Sequence, residues 1–217
     1  MKKTTTLEIV QTALFAALVA VLAFVPYVGY IRIPVLAIQA TTVHIPVIVG
    51  SIALGPKRGA ILGGIFGLTS LINNTATPGL TSFVFSPFVE IGDGMGGSPL
   101  SLIICFIPRI LVGVVPYYVY TALQKHSKNP EKRRKFSLLI SGVAGSMTNT
   151  ILVMSLIFVI FGHEYAAARE IAYEAILGVI LSTIAINGTI EAIVAALITS
   201  AVVFALYKSK FIKSKNI

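Results

Sequence analysis

Charge is what this chain has least of. Of its 217 residues 12% are Asp, Glu, Lys or Arg, against 56% apolar, and the mean hydropathy is +0.90. A soluble domain of this size needs a polar surface, and this composition cannot supply one. Lipid is therefore the solvent over most of the surface. Aspartate occurs once, at Asp93. That excludes a lipid phosphotransferase, which clusters aspartates around a divalent metal. Cysteine also occurs once, at Cys105, inside an apolar run. An internal disulfide and a Cys/His metal spacing are both ruled out, and Cys105 reads as a small buried apolar residue. No glycine-rich loop ends in Gly-Lys-Ser/Thr, so ATP binding is not expected. Ser146 in AGSMTN, with His44 and His163 elsewhere, is a poor match to a membrane serine protease. Neither a cofactor nor an enzymatic activity is expected. A small membrane enzyme or scaffold remains the alternative class.

What is present is a series of apolar segments. A helix rises ~1.5 Å per residue, so ~20 residues cross the ~30 Å hydrocarbon core. The first segment runs from about Leu7 to Val25, with Tyr27 and Tyr30 placed as interfacial aromatics. Lys2 and Lys3 resemble a signal-peptide charge cluster, but no convincing cleavage site follows. An irregular stretch from Gly29 to Ala40 precedes a short second segment, about Thr41 to Leu54. A tight turn, Gly55-Pro56-Lys57-Arg58-Gly59, leads to a third, about Ala60 to Ile72, whose glycines allow close helix approach. Asn73 to Pro99 is expected to be an outer loop that dips into the bundle. The fourth span covers about Leu100 to Leu123, and the fifth about Phe136 to Phe161. Gly162 to Tyr173 reads as an outer amphipathic segment, and Asn187-Gly188 as a break that opens a sixth span ending near Tyr207. The expected fold is all-α: one transmembrane domain over residues 1–217, with six helices. No internal repeat marks it as an autonomous carrier.

Lys2, Lys3, Lys57, Arg58, Lys125, Lys128, Lys132, Arg133, Arg134, Lys135, Lys208, Lys210, Lys213 and Lys215 make up 14 of the 17 basic residues. In a six-span arrangement all of them fall on one side. The positive-inside rule makes that side, and both termini, cytoplasmic. The net charge of +9 is thus divided among membrane boundaries. It forms no folded basic face, so nucleic acid is not a partner. A weak attraction of the polar loop after span four to anionic lipid headgroups is expected.

Polar groups within spans are costly, and each is a candidate site. Arg109 falls in the outer half of span four, Asn149 in the middle of span five, and Glu191 one turn into span six. Asn73 and Asn74 close span three. By topology these residues converge on a cavity open to the outside. Each also has a structural reading: Arg109 and Glu191 as a pair, Asn149 bonding a neighbouring helix, Asn187 capping span six. Thr42 and His44 lie near the outer end of span two, and Phe83, Phe85 and Phe88 in the outer loop. In span one, Ala13, Ala16, Ala17 and Ala20 of ALFAALVA form two overlapping small-x-x-x-small pairs. Such a strip lets a second helix pack closely, inside the bundle or from a partner.

The ordered set of these features resembles the substrate-binding S components of energy-coupling factor (ECF) vitamin transporters. The resemblance covers almost the whole chain. QATTVHIPVIVGSIALGPKRGAILGGIFGLTSLINN, TSFVFSPF and CFIPRILVG are most similar to the pantothenate-type members. The resemblance implies that Arg109 and Asn149 contact the ligand. Gln39, Thr42, His44, Asn74, Phe85, Asn187 and Glu191 complete the candidate pocket. An arginine suits the carboxylate of pantothenate, and asparagines suit its amide and hydroxyls. The absence of tryptophan counts against members that stack thiamin on indole. Riboflavin and folate remain possible, stacked on Phe or Tyr. The resemblance further implies a membrane coupling subunit, docked on the alanine strip, and two ATPase subunits that drive release inside.

Overall fold

The computed structural model describes residues 6–25, 29–33, 38–91, 95–125 and 130–211. The apolar segments are helices. α1 is Thr6–Phe24, followed by a two-stranded antiparallel hairpin of β1 (Tyr30–Ile33) and β2 (Ile38–Thr41). α2 (His44–Leu54) has 11 residues, and every one is buried. A helix of ~16 Å is too short to cross the hydrocarbon. Its neighbours enclose it instead, so none of its backbone meets lipid. Gly55 turns the chain at φ 92°, a conformation that favours glycine. Pro56 then opens α3 (Pro56–Ala76) at the first helical position, where its missing N–H costs nothing.

The loop after α3 enters the bundle, as expected. Ser82, Phe83 and Val84 form a buried 3-10 turn, and Phe83 packs edge-on against Phe161 with centroids 5.9 Å apart. A second short hairpin pairs β3 (Glu90–Ile91) with β4 (Met95–Gly96). The all-α expectation therefore holds for the bundle, while two small hairpins occupy loops read as irregular. The fourth segment is two helices, α4 (Ser101–Val112) and α5 (Val115–Lys125).

Two boundaries differ from expectation. α6 (Pro130–Ala168) runs on into the expected amphipathic segment and bends at Phe161, where φ is −126° and ψ 25°. The break expected at Asn187-Gly188 is absent. α7 (Ile176–Thr183) passes through a π-helical turn at Ile184–Gly188 into α8 (Thr189–Lys208) without leaving helical geometry. The reason is packing. A Cβ at Gly188 would stand 3.2 Å from Thr150 Cγ2, so this glycine serves close approach to α6.

Close approach also fixes α3 against α4. A Cβ at Gly59 would lie 1.8 Å from the Gly113 carbonyl oxygen, and one at Gly63 2.2 Å from that of Arg109. These obstacles are backbone, so no side-chain rotation relieves them. Gly63→Val should force the helices apart at a cost of about 1–3 kcal/mol or more, read as a lower melting temperature. Gly64→Ala is the control: nothing lies within 4 Å of its Cβ, and stability should hold or rise by up to about 1 kcal/mol.

One end of the bundle gathers the basic residues. Arg58 pairs with Glu8 at 2.7 Å, and Gln11 donates to the Phe211 carbonyl. The Arg134 guanidinium lies 3.9 Å from the Tyr207 ring, and Lys135 and Lys208 both approach Phe204. Asn73 and Asn74, some 15 residues along α3 from Arg58, lie ~22 Å away toward the other end. Among the described residues, four helical stretches are long and apolar enough to cross a membrane: Thr6–Phe24, Ser101–Lys125, Arg133–Ala168 and Tyr173–Lys208. Large apolar side chains such as Val159, Leu197 and Ile61 are exposed on the outside, as a lipid solvent requires.

Candidate functional site

A cavity of about 670 Å³ opens at the end opposite the basic residues. Its size falls within the ~300–1,000 Å³ range of small-molecule sites. Three stripes at helical spacing build its wall. α3 contributes Phe66, Ser70, Asn73 and Asn74, and Thr77 follows at its C-cap. α6 contributes Asn149, Thr150, Val153, Met154, Ile157 and Tyr165, and the α7–α8 helix contributes Thr183, Asn187 and Glu191. Positions three or four apart share a helix face.

Arg109 lies at the floor and is 6% exposed. Its backbone is set by the contact with Gly63. Its Nη1 donates to the Ile104 carbonyl at 2.6 Å, and its Cζ stands 4.9 Å from the Phe85 centroid and 5.6 Å from that of Phe66. Aromatic faces attract the cation and hold it in place. Asn149 also lines the cavity, and its buried Oδ1 has no hydrogen-bond partner. A buried acceptor left unsatisfied costs about 1–3 kcal/mol, which a ligand donor would recover.

Glu191 and Asn74 line the cavity in a different way, because their polar atoms are already used. Glu191 Oε1 accepts from the Thr41 N–H at 2.7 Å and Oε2 from the Thr150 hydroxyl at 3.0 Å. The carboxylate thereby ties β2 and α6 to α8. Asn74 donates to the Ser70 carbonyl at 2.8 Å and accepts from the Ser82 hydroxyl at 2.9 Å, which pins the inward-dipping loop. Asn187 lines the wall from within the π-helical turn, a feature frequent at functional sites.

The structure thus brings Arg109, Asn149, Asn74, Asn187, Phe85 and Glu191 together. It does not bring in Thr42 or His44. Thr42 donates to the Gly29 carbonyl, and its neighbour Thr41 lines the cavity instead. His44 is fully buried in α2, with neither ring nitrogen hydrogen-bonded. The Gln39 side chain lies outside the described residues. Phe66, Thr150, Tyr165 and Arg169 line the cavity without having been expected there. Among the described residues, no three His, Cys, Asp or Glu side chains gather as a metal site.

The alanine strip divides between two faces. Ala13 and Ala17 are exposed on the outside of the bundle, while Ala16 and Ala20 are half-buried and Ala16 packs on the core.

A buried cation below a wall of amides and hydroxyls suits a small polar anion. Comparison with known proteins agrees in class. The family model for the ECF transporter substrate-specific component matches residues 7–203. The chain is similar to the pantothenic acid transporter PanT of Lactococcus lactis, with 37% identity over 97% of this chain and 98% of that protein. It is also similar to the pantothenate transporter PanT of Leuconostoc mesenteroides, with 28% identity over 93% of each. The chain therefore belongs to the substrate-specific components of ECF transporters, and is a multi-pass cell-membrane subunit of a vitamin uptake system, not an enzyme.

Proposed function

We propose that this subunit captures pantothenate at the outer face and delivers it inward. The observation that carries this reading is the pairing of buried Arg109 with the unpartnered Oδ1 of Asn149 in one cavity. The carboxylate of pantothenate takes a charge-assisted bidentate bond from Arg109. Its hydroxyl or amide N–H donates to Asn149, and its geminal methyls lie against Val153, Met154 and Ile157. The names of the two relatives support the same ligand.

The chain acts as one domain over residues 1–217. Its six spans are α1, α2, α3, α4–α5, α6 and α7–α8, and the short α2 is carried inside the others. The clustering of Arg58, Arg134, Lys135 and Lys208 at one end supports cytoplasmic termini. A membrane coupling subunit and two ATPase subunits supply the ATP-driven step. The exposed Ala13–Ala17 face docks on the coupling subunit.

The test is equilibrium binding of the purified protein to a vitamin panel. Pantothenate should bind at least ~100-fold more tightly than riboflavin, folate, thiamin or biotin. Yellow protein that binds riboflavin instead would refute the ligand while keeping the class.

A further inference from the structure

The cavity carries two arginines in opposite settings. Arg109 is buried at the floor, and Arg169 is exposed at the rim. The backbone fixes Arg169 in place. Just beyond α6, the Ile171 N–H donates to the Ala166 carbonyl and the Glu170 N–H to that of Ala167, both at 3.0 Å. This is the Schellman pattern. Glu170 adopts the left-handed φ of 55° that the turn demands, at a cost that a non-glycine residue bears only under constraint. The Arg169 guanidinium lies 5.3 Å from the ring of Tyr165, which is itself buried and lines the cavity.

Among the residues whose side chains are described, the charged neighbours of Arg169 along the chain are of the other sign. Glu90, Glu164, Glu170 and Glu174 lie toward this end, and none lines the cavity. Among residues whose side chains are described, Arg169 is the one cation at the rim. Arg169 thus offers an incoming anion an attractive charge at the mouth.

We infer that Arg169 is the entry residue for the anionic ligand: it draws the carboxylate to the mouth before Arg109 binds it. This rests on the pantothenate reading. A solvent-exposed rim charge acts on encounter rate and salt dependence, whereas a desolvated partner acts on dissociation. Arg169 therefore sets the association rate, and Arg109 the residence time.

Stopped-flow binding to protein in neutral-lipid nanodiscs tests this division. The ligands are pantothenate and panthenol, its uncharged alcohol analogue, at about 20 and 200 mM salt. At low salt Arg169→Gln should slow pantothenate association about three- to tenfold and flatten its salt dependence. Dissociation should stay within about twofold of wild type, panthenol association should be unchanged, and Arg169→Lys should restore most of the rate. Unchanged association in Arg169→Gln would overturn the inference. So would a loss confined to dissociation, or equal slowing of panthenol. Failure of the wild-type protein to bind pantothenate would instead refute the reading beneath it.

Discussion

Replacing Arg109 by alanine should weaken pantothenate binding about 10²- to 10³-fold. Losing one partner of a buried, hydrogen-bonded charge pair costs about 3–4 kcal/mol, and ~1.4 kcal/mol is tenfold. The size of the effect follows from where the residue sits. At the cavity floor the guanidinium is 6% exposed and held over two rings, so little water remains to solvate a carboxylate left alone. Arg109→Lys should recover only part of the loss. A lysine keeps the charge but presents neither the planar fork nor the same stacking on Phe66 and Phe85. Fold integrity is checked separately: both variants should melt as one transition near wild type. An alanine variant that binds as tightly as wild type would remove Arg109 from the site.

Replacing Ala17 by leucine should abolish uptake and leave vitamin binding intact. Ala17 faces outward from α1, so the larger side chain enters lipid and disturbs no bundle contact. Its effect falls on a partner helix seated against the Ala13–Ala17 face, where small residues permit close backbone approach. Uptake of labelled vitamin by cells with the full transporter should drop at least tenfold, while the purified subunit keeps its affinity. Ala16→Leu is a contrasting variant. Ala16 packs on the core, so that change should lower stability first. Normal uptake by Ala17→Leu would show that no partner docks on this face.

Much of the site was legible because intramembrane polar groups have few uses. Arg109, Asn149 and Glu191 stood out against apolar spans, and all three line the cavity. Phe66, Ser70, Asn73 and Asn74 share one face at helical spacing, but the expected third span stops near Ile72 and hides that stripe. It was also masked by the glycines beside it, which suggested packing alone. Other features were not legible. Glu191 reads equally as a ligand contact or a structural partner; it lines the cavity with its oxygens bonded to Thr41 and Thr150, a bonding that depends on which helices meet. The span pattern points to Thr42, but Thr41, the last residue of β2, lines the cavity, and the pattern does not announce that strand. Asn187-Gly188 carries the composition of a break, yet Gly188 is needed for contact with α6. Arg169 carries no signal of its own in the sequence. Its place at the mouth comes from the turn at Glu170, which the residue type does not announce.

The most direct test of the central claim is a binding cycle that crosses two proteins with two ligands. Wild type and Arg109→Ala are each titrated with pantothenate and with panthenol. The two ligands differ at the carboxylate, so the cycle isolates its pairing with Arg109. Wild type should prefer pantothenate by about 10²-fold or more, and the variant should bind the two within a few-fold of each other. If the variant keeps the full preference for pantothenate, the carboxylate is read elsewhere and the account of this site is wrong.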